Sequence, residues 1–215
     1  MTAASSTPTS GLAVTGLRVE RGDHVLFDAL AFTALPGSLT QLTGANGSGK
    51  TTLLKTLAGL ITPDAGTVHW QGRPLTGSGD FCSALNYIGH HPGLNAELNA
   101  CENLAFIAAL SAARQQVDIA SALHAFDAGA FSAQPVRNLS AGQRQRVALA
   151  RLVLFAAELW MLDEPFTALD HATRVRVETL IDHHIDSGGI VLIATHQAFN
   201  SRHPLQTVAV APPTA

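Results

Sequence analysis

Eight residues constrain the fold of this chain more than any others. They are Gly44-Ala45-Asn46-Gly47-Ser48-Gly49-Lys50-Thr51, set between a short apolar run, Ser38 to Thr43, and a helix-forming one, Lys50 to Leu60. Glycines at this spacing let backbone N–H groups turn inward, and the helix that follows adds the partial positive charge of its N-terminus. A strand, such a loop and a helix in that order form a phosphate cradle. Lys50 is placed to reach the β- and γ-phosphates of a bound ATP, and Thr51 to hold Mg²⁺. Residues Gly44 to Thr51, with Thr52 behind them, are the expected nucleotide contacts. Lys50 is one of only two lysines, the other being Lys55, against eleven arginines.

The rest of the chain reads as strands alternating with helices, which argues a parallel sheet covered on both faces. Leu12 to Val19 and Val25 to Leu35 have strand character, the second ended by Pro36-Gly37. Thr67 to Gln71, Leu85 to Ile88, Glu158 to Leu162 and Ile190 to Thr195 are further strands. Asn99 to Phe131 is Ala-rich with helical spacing and almost no strand signal, which predicts a helical lobe inserted into the α/β core. Ser140 caps a helix expected to reach Ala157, with Arg144, Arg146 and Arg151 toward solvent and Val147, Leu149 and Val153 inward. Asp170 caps another, stopped by Gly188-Gly189. Residues 1–10 are expected to be a mobile tail, 11–205 one domain, and 206–215 a C-terminal tail. Within that domain the core covers about 11–89 and 158–205, and the helical subdomain about 90–157.

Apolar residues make up 47% of 215, so the chain folds, and its net charge of -3 gives no case for nucleic acid. The first ten residues lack the basic region and apolar core of a signal peptide. The most apolar stretch, Val147 to Leu162, is interrupted by Arg151 and Glu158, whereas a membrane span needs about 20 apolar residues. Any work at a membrane is expected to use spans supplied by another chain.

Leu159-Trp160-Met161-Leu162 is an apolar strand that ends in Asp163-Glu164. Asp163 is the expected second Mg²⁺ ligand, through water. Glu164 follows on the opposite side of the strand and is the expected general base for water. Leu139-Ser140-Ala141-Gly142-Gln143 opens a helix as a second anion site would, though capping by Ser140 accounts for the same pattern.

Together these motifs resemble the nucleotide-binding subunit of ATP-binding-cassette (ABC) transporters, in order and spacing from Leu12 to about Gln197. Leu139 to Gln143 is similar to the family's LSGGQ motif, with Ala141 for the first glycine. Thr167-Ala168-Leu169-Asp170 resembles its D-loop, and His196 its switch histidine. The resemblance implies an α/β P-loop NTPase of the ABC ATPase type, with a mixed or parallel sheet core, an antiparallel β part and an inserted helical subdomain. It implies a homodimer in which Leu139, Ser140, Ala141, Gly142, Gln143 and Asp170 of one copy face ATP held by the other. It also implies catalytic roles for Glu164, His196 and Lys50.

Two positions depart from the family pattern. Arg21 stands where an aromatic ring stacks on adenine, and a guanidinium can stack too. His91 stands where a Gln contacts Mg²⁺ and senses the membrane partner, and its charge changes near neutral pH.

Within the family, Tyr87 to Leu94, Glu102-Asn103-Leu104, Leu159 to Asp170 and Thr195-His196-Gln197 are most similar to the ATPase subunit of the cytochrome c maturation system, long called the haem exporter ATPase. That implies membrane-embedded B and C subunits as partners and a place on the cytoplasmic side of a bacterial inner membrane. The alternative is the ATPase of another small ABC transporter. Direct haem ligation by His90-His91 or His183-His184 is not expected. No C-x-x-C-H motif is present, and the second pair lies near a helix end that favours positive charge.

Overall fold

A computed structural model describes residues 10–22, 24–75, 79–111 and 113–212. The expected tail, 1–10, lies outside these apart from Ser10. Five strands form a parallel sheet at the centre: β3 (Leu39–Thr43), β6 (Leu85–Ile88), β9 (Leu159–Asp163), β10 (Ile190–Ala194) and β11 (Leu205–Ala209), in the order β11-β3-β10-β9-β6. Strands β9 and β10 are buried at every position. Such strands need cover on both faces, and their side chains alternate accordingly. Trp160, Leu162, Val191 and Ile193 join one hydrophobic cluster, whereas Leu159, Met161, Leu192 and Ala194 join another.

The second cluster is closed by helix α1 (Lys50–Leu57) and by an antiparallel sheet. That sheet holds β1 (Leu12–Arg21), β2 (His24–Ala34), β4 (Ala65–Trp70) and β5 (Arg73–Pro74), in the order β2-β1-β4-β5. A short helix, α2 (Gly79–Ala84), leads into β6. The first cluster is closed by α3 (Ala100–Leu110), α4 (Ile119–His124), α5 (Ala141–Leu149), α6 (Arg151–Leu154) and α7 (His171–Asp186). The α/β class with a parallel core, an antiparallel part and added helices is the one expected.

Several boundaries move, each for a local reason. Helix α1 ends at Leu57, not Leu60. Gly59 takes φ 76°, its N–H reaches Thr56 O, and Leu60 N–H reaches Lys55 O, a Schellman closure. The helix expected to run from Ser140 to Ala157 divides at Ala150 and stops at Leu154. Phe155–Ala156 (β8) then pairs antiparallel with Arg114–Gln115 (β7), a short strand inside the stretch read as helical with almost no strand signal. Arg151 does not face solvent freely: burial lowers its pKa, and its Nε is enclosed. Residues 206–209 are not a tail. They belong to β11, because Val208 and Val210 pack into the core beside β3. Among the described residues no helix is long and apolar enough to cross a membrane.

Candidate nucleotide site

In an open parallel sheet, ligands gather beyond the carboxyl ends of the strands. Four such ends converge here. Register aligns Ala194 with both Leu42 and Asp163, and Ile88 with Leu162. The segments that follow, Gly44 to Thr51, Glu164, Thr195-His196 and Gly89-His90, therefore leave the sheet along one edge. A cleft of about 710 Å³ opens there, lined by Arg21, Asn46, Gly47, Gly49, Lys50, Thr51, Thr52, Asp163, Glu164 and His196.

The loop is shaped for an anion. A Cβ at Gly44 would stand 2.3 Å from Val210 O and 2.5 Å from Ser48 Oγ, so only glycine fits. Gly49, the N-cap of α1, takes φ 102° and offers no side chain to the helix's first N–H groups. Those donors suit phosphate oxygens. Ser48 Oγ is buried with no hydrogen-bond partner among the described residues. Lys50 is 8% exposed and its Nζ donates to Gly44 O at 2.8 Å and Ala45 O at 2.9 Å. The ammonium is thus held over the loop by the loop's own carbonyls.

Thr51 and Asp163, 112 residues apart, meet directly: Thr51 Oγ1 donates to Asp163 Oδ2 at 2.7 Å. Asp163 is 2% exposed. Glu164 takes φ 52°, a left-handed conformation that costs a non-glycine residue energy and clusters at functional sites. His196 N–H donates to its Oε1 at 3.2 Å, and His196 Nε2 lies 3.8 Å from the same oxygen. The wall also includes Leu26 and Lys55, to which the motif reading gave no role, and Thr167, His90 and Gln197, which it quoted only for the family resemblance. Lys55 follows Thr51 by four residues, so helical spacing places it on the same face.

His91 stands beside the cleft, and its neighbour His90 lines it. His91 lines an adjoining pocket with Tyr87, Pro92 and Arg151, and that pocket shares Thr51, Lys55 and His90 with the cleft. The chain bends at His90 and His91 after β6, and the two imidazoles stand edge to face, 5.2 Å apart. The first of the pair is therefore the one turned to the cleft.

Leu139 to Gln143 and Asp170 do not line this cleft. Leu139 is 3% exposed and belongs to the core, so its side chain is not a surface contact as expected. Ser140 Oγ accepts from Gln143 N–H, and the Gln143 side chain accepts from Ser140 N–H, a complete capping box. A Cβ at Gly142 would lie 2.5 Å from Ala168 O. Asp170 caps α7 through Thr173 N–H and pairs with Arg146. The Thr173 hydrogen bonds, aided by Arg146, hold its carboxyl below the usual range. His184 is not charged by its helix end. Its ring stacks on Trp160 at 3.9 Å, and burial lowers its pKa to about 4.

A cradle of helix-start donors, an enclosed ammonium and paired acids on a parallel-sheet edge define a nucleoside-triphosphatase. The sequence profile of the ABC transporter family matches residues 27–167. The chain belongs to the ABC transporter family, and is its ATP-binding, ATP-hydrolysing subunit. It is 44% identical over 187 residues to the cytochrome c biogenesis ATP-binding export protein CcmA of Cupriavidus necator, covering 86% of this chain and 82% of that one. With the protein of the same name from Escherichia coli K12 it shares 47% over 188 residues, 86% and 88% of the two chains. Among solved structures, an ABC transporter ATP-binding protein from Pyrococcus furiosus superposes with a TM-score of 0.76 at 24% identity, over 94% of this chain and 98% of that one. A dimeric ATP-binding cassette bound to ADP and Pi superposes at 0.75 with 20% identity, over 86% and 88%.

Proposed function

We propose that this chain powers the ABC complex of cytochrome c biogenesis, the system that delivers or exports haem. Its membrane-embedded partners are subunits of the CcmB and CcmC type, and it sits peripherally on the cytoplasmic face of the inner membrane. The 44–47% identity to proteins named for that process supports the reading. Haem itself is not a ligand of this chain in the proposal.

Hydrolysis uses the cleft in a defined way. Lys50 and the uncapped start of α1 hold the β- and γ-phosphates. Thr51 and Asp163 fit a hard divalent cation, since a hydroxyl and one carboxylate leave room for phosphate oxygens and water. Mg²⁺ bound there neutralises charge on the phosphates. Arg21 lies against the base. Glu164 accepts a proton from water as its oxygen bonds to the γ-phosphorus. The bond from that phosphorus to the β–γ bridging oxygen breaks, and ADP leaves with the electron pair. His196 holds the γ-phosphate end.

Two copies form the working unit, with Ser140 to Gln143 of each closing on ATP in the other. ATP binding favours closure and hydrolysis releases it. His91 and the segment on to Leu104 form the docking face toward the membrane subunit. The observation that carries the mechanism is the Thr51–Asp163 contact beside Glu164. Glu164→Gln should keep ATP binding and lower turnover roughly 10²–10⁴-fold; unchanged turnover contradicts it. Purification from native membranes should bring down two membrane subunits of the cytochrome c system. Recovery with a different permease instead overturns that assignment.

A further inference from the structure

The carboxylate of Glu164 is held from the neighbouring strand rather than from its own. Glu164 N–H donates to Ala194 O at 2.7 Å. Thr195 Oγ1 donates to Glu164 Oε2 at 3.2 Å, and His196 N–H donates to Oε1 at the same distance. Each carboxylate oxygen therefore has its own donor, both beyond the carboxyl end of β10.

Thr195 is itself fixed. It is 4% exposed. Gln197 N–H donates to its Oγ1 at 3.1 Å, and Gln41 on β3 donates from Nε2 to its carbonyl at 3.2 Å. A hydroxyl has one hydrogen and two lone pairs. The Gln197 contact takes a lone pair, so the hydrogen is left for the carboxylate.

We propose that Thr195 is a positioning residue for hydrolysis: its hydroxyl sets the plane of the Glu164 carboxylate. The inference rests on the reading of Glu164 as the acceptor of the water's proton. The last torsion of a glutamate is broad and nearly two-fold, so one anchored oxygen leaves the group free to turn. Two anchors, one on each oxygen, remove that freedom before water arrives. Threonine suits the task because its branched Cβ stiffens the side chain and its buried methyl keeps the rotamer.

The test compares kcat and KM for Mg-ATP in the full-length chain, its Thr195→Val, Thr195→Ser and Glu164→Gln variants, with a melting curve for each. Thr195→Val should lower kcat roughly tenfold, the scale of a hydrogen bond to a charged group, with KM within about twofold. Thr195→Ser keeps the hydroxyl and should recover most of the rate. Should Thr195→Val melt far below the parent, Thr195→Ala carries the same test, since it removes the hydroxyl without placing a methyl against the carboxylate. Wild-type kcat without the hydroxyl overturns the inference. So does a serine variant as slow as the valine one, which would assign the effect to the methyl group. Glu164→Gln that still turns over removes the base assignment and this inference with it. Glu164→Gln silent beside an unimpaired Thr195→Val leaves the base standing and removes Thr195 alone.

Discussion

At Gly49 helix α1 begins with no side chain over its first N–H groups, whereas at Ser140 helix α5 is closed by its own residues. The two starts look alike as sequence: a small-residue turn before a helix. In the first, Ser48 Oγ has no partner among the described residues and Lys50 is tethered to loop carbonyls, so donors remain for a ligand. In the second, Ser140 and Gln143 satisfy each other, and the turn is packed against the segment after Glu164. Gly142 meets Ala168 O, Gln145 donates to Pro165 O at 3.0 Å, and Arg146 pairs with Asp170. One start is a binding device complete in one chain. The other is a self-capped turn tied to the segment that follows Glu164. That difference suits the proposed dimer, in which the pre-closed turn of one copy would offer its shape to a nucleotide gripped by the other.

The largest expected break in this contrast comes from Lys50→Ala, which should weaken ATP binding by a single subunit on the order of a hundredfold, read by nucleotide titration. Next come two glycine substitutions with similar cost and different reach. Gly44→Ala and Gly142→Ala each force a Cβ against a carbonyl and should cost about 1–3 kcal/mol in denaturant unfolding. Only the first should also weaken nucleotide binding by one subunit. Equal loss of binding in both would erase the distinction. Ser140→Ala removes a cap and should cost about 1 kcal/mol, with single-subunit affinity for ATP unchanged.

The smallest effect comes from outside both starts. The pKa of His184 falls from 6.5 to about 4 on folding. Between those values the unfolded chain binds more protons, so stability rises with pH and is lost as pH drops below 6.5. From pH 7 to pH 6 the loss should be about 0.7 kcal/mol, absent in His184→Phe. ATP affinity should not follow that term.

Much of the site was legible because local sequence dictates it. The spacing from Gly44 to Thr51 specifies a backbone shape, and the apolar run before Asp163 specifies a buried strand with acids at its end. What sequence alone left out depends on tertiary contact. Gly142 reads as a motif glycine, yet a carbonyl 26 residues away demands it. The bend of the chain at His90 and His91 decides that His90 lines the cleft and His91 the pocket beside it. Strand β11 carries too few apolar residues to stand out, and it forms because β3 offers a free edge. The stop at Leu154, short of the expected Ala157, likewise goes with the pairing of β8 with β7.

In the proposed dimer each ATP is gripped by one subunit and closed over by the turn of the other. Mixing two variants tests it directly: Lys50→Ala, with an intact turn, and Ser140→Arg, with an intact loop and a blocked exposed turn. Each alone should be nearly silent. An equal mixture should regain about a quarter of the parental turnover, since half the dimers then hold one complete site of two. A mixture as silent as its components, or full turnover by Ser140→Arg alone, would contradict the account.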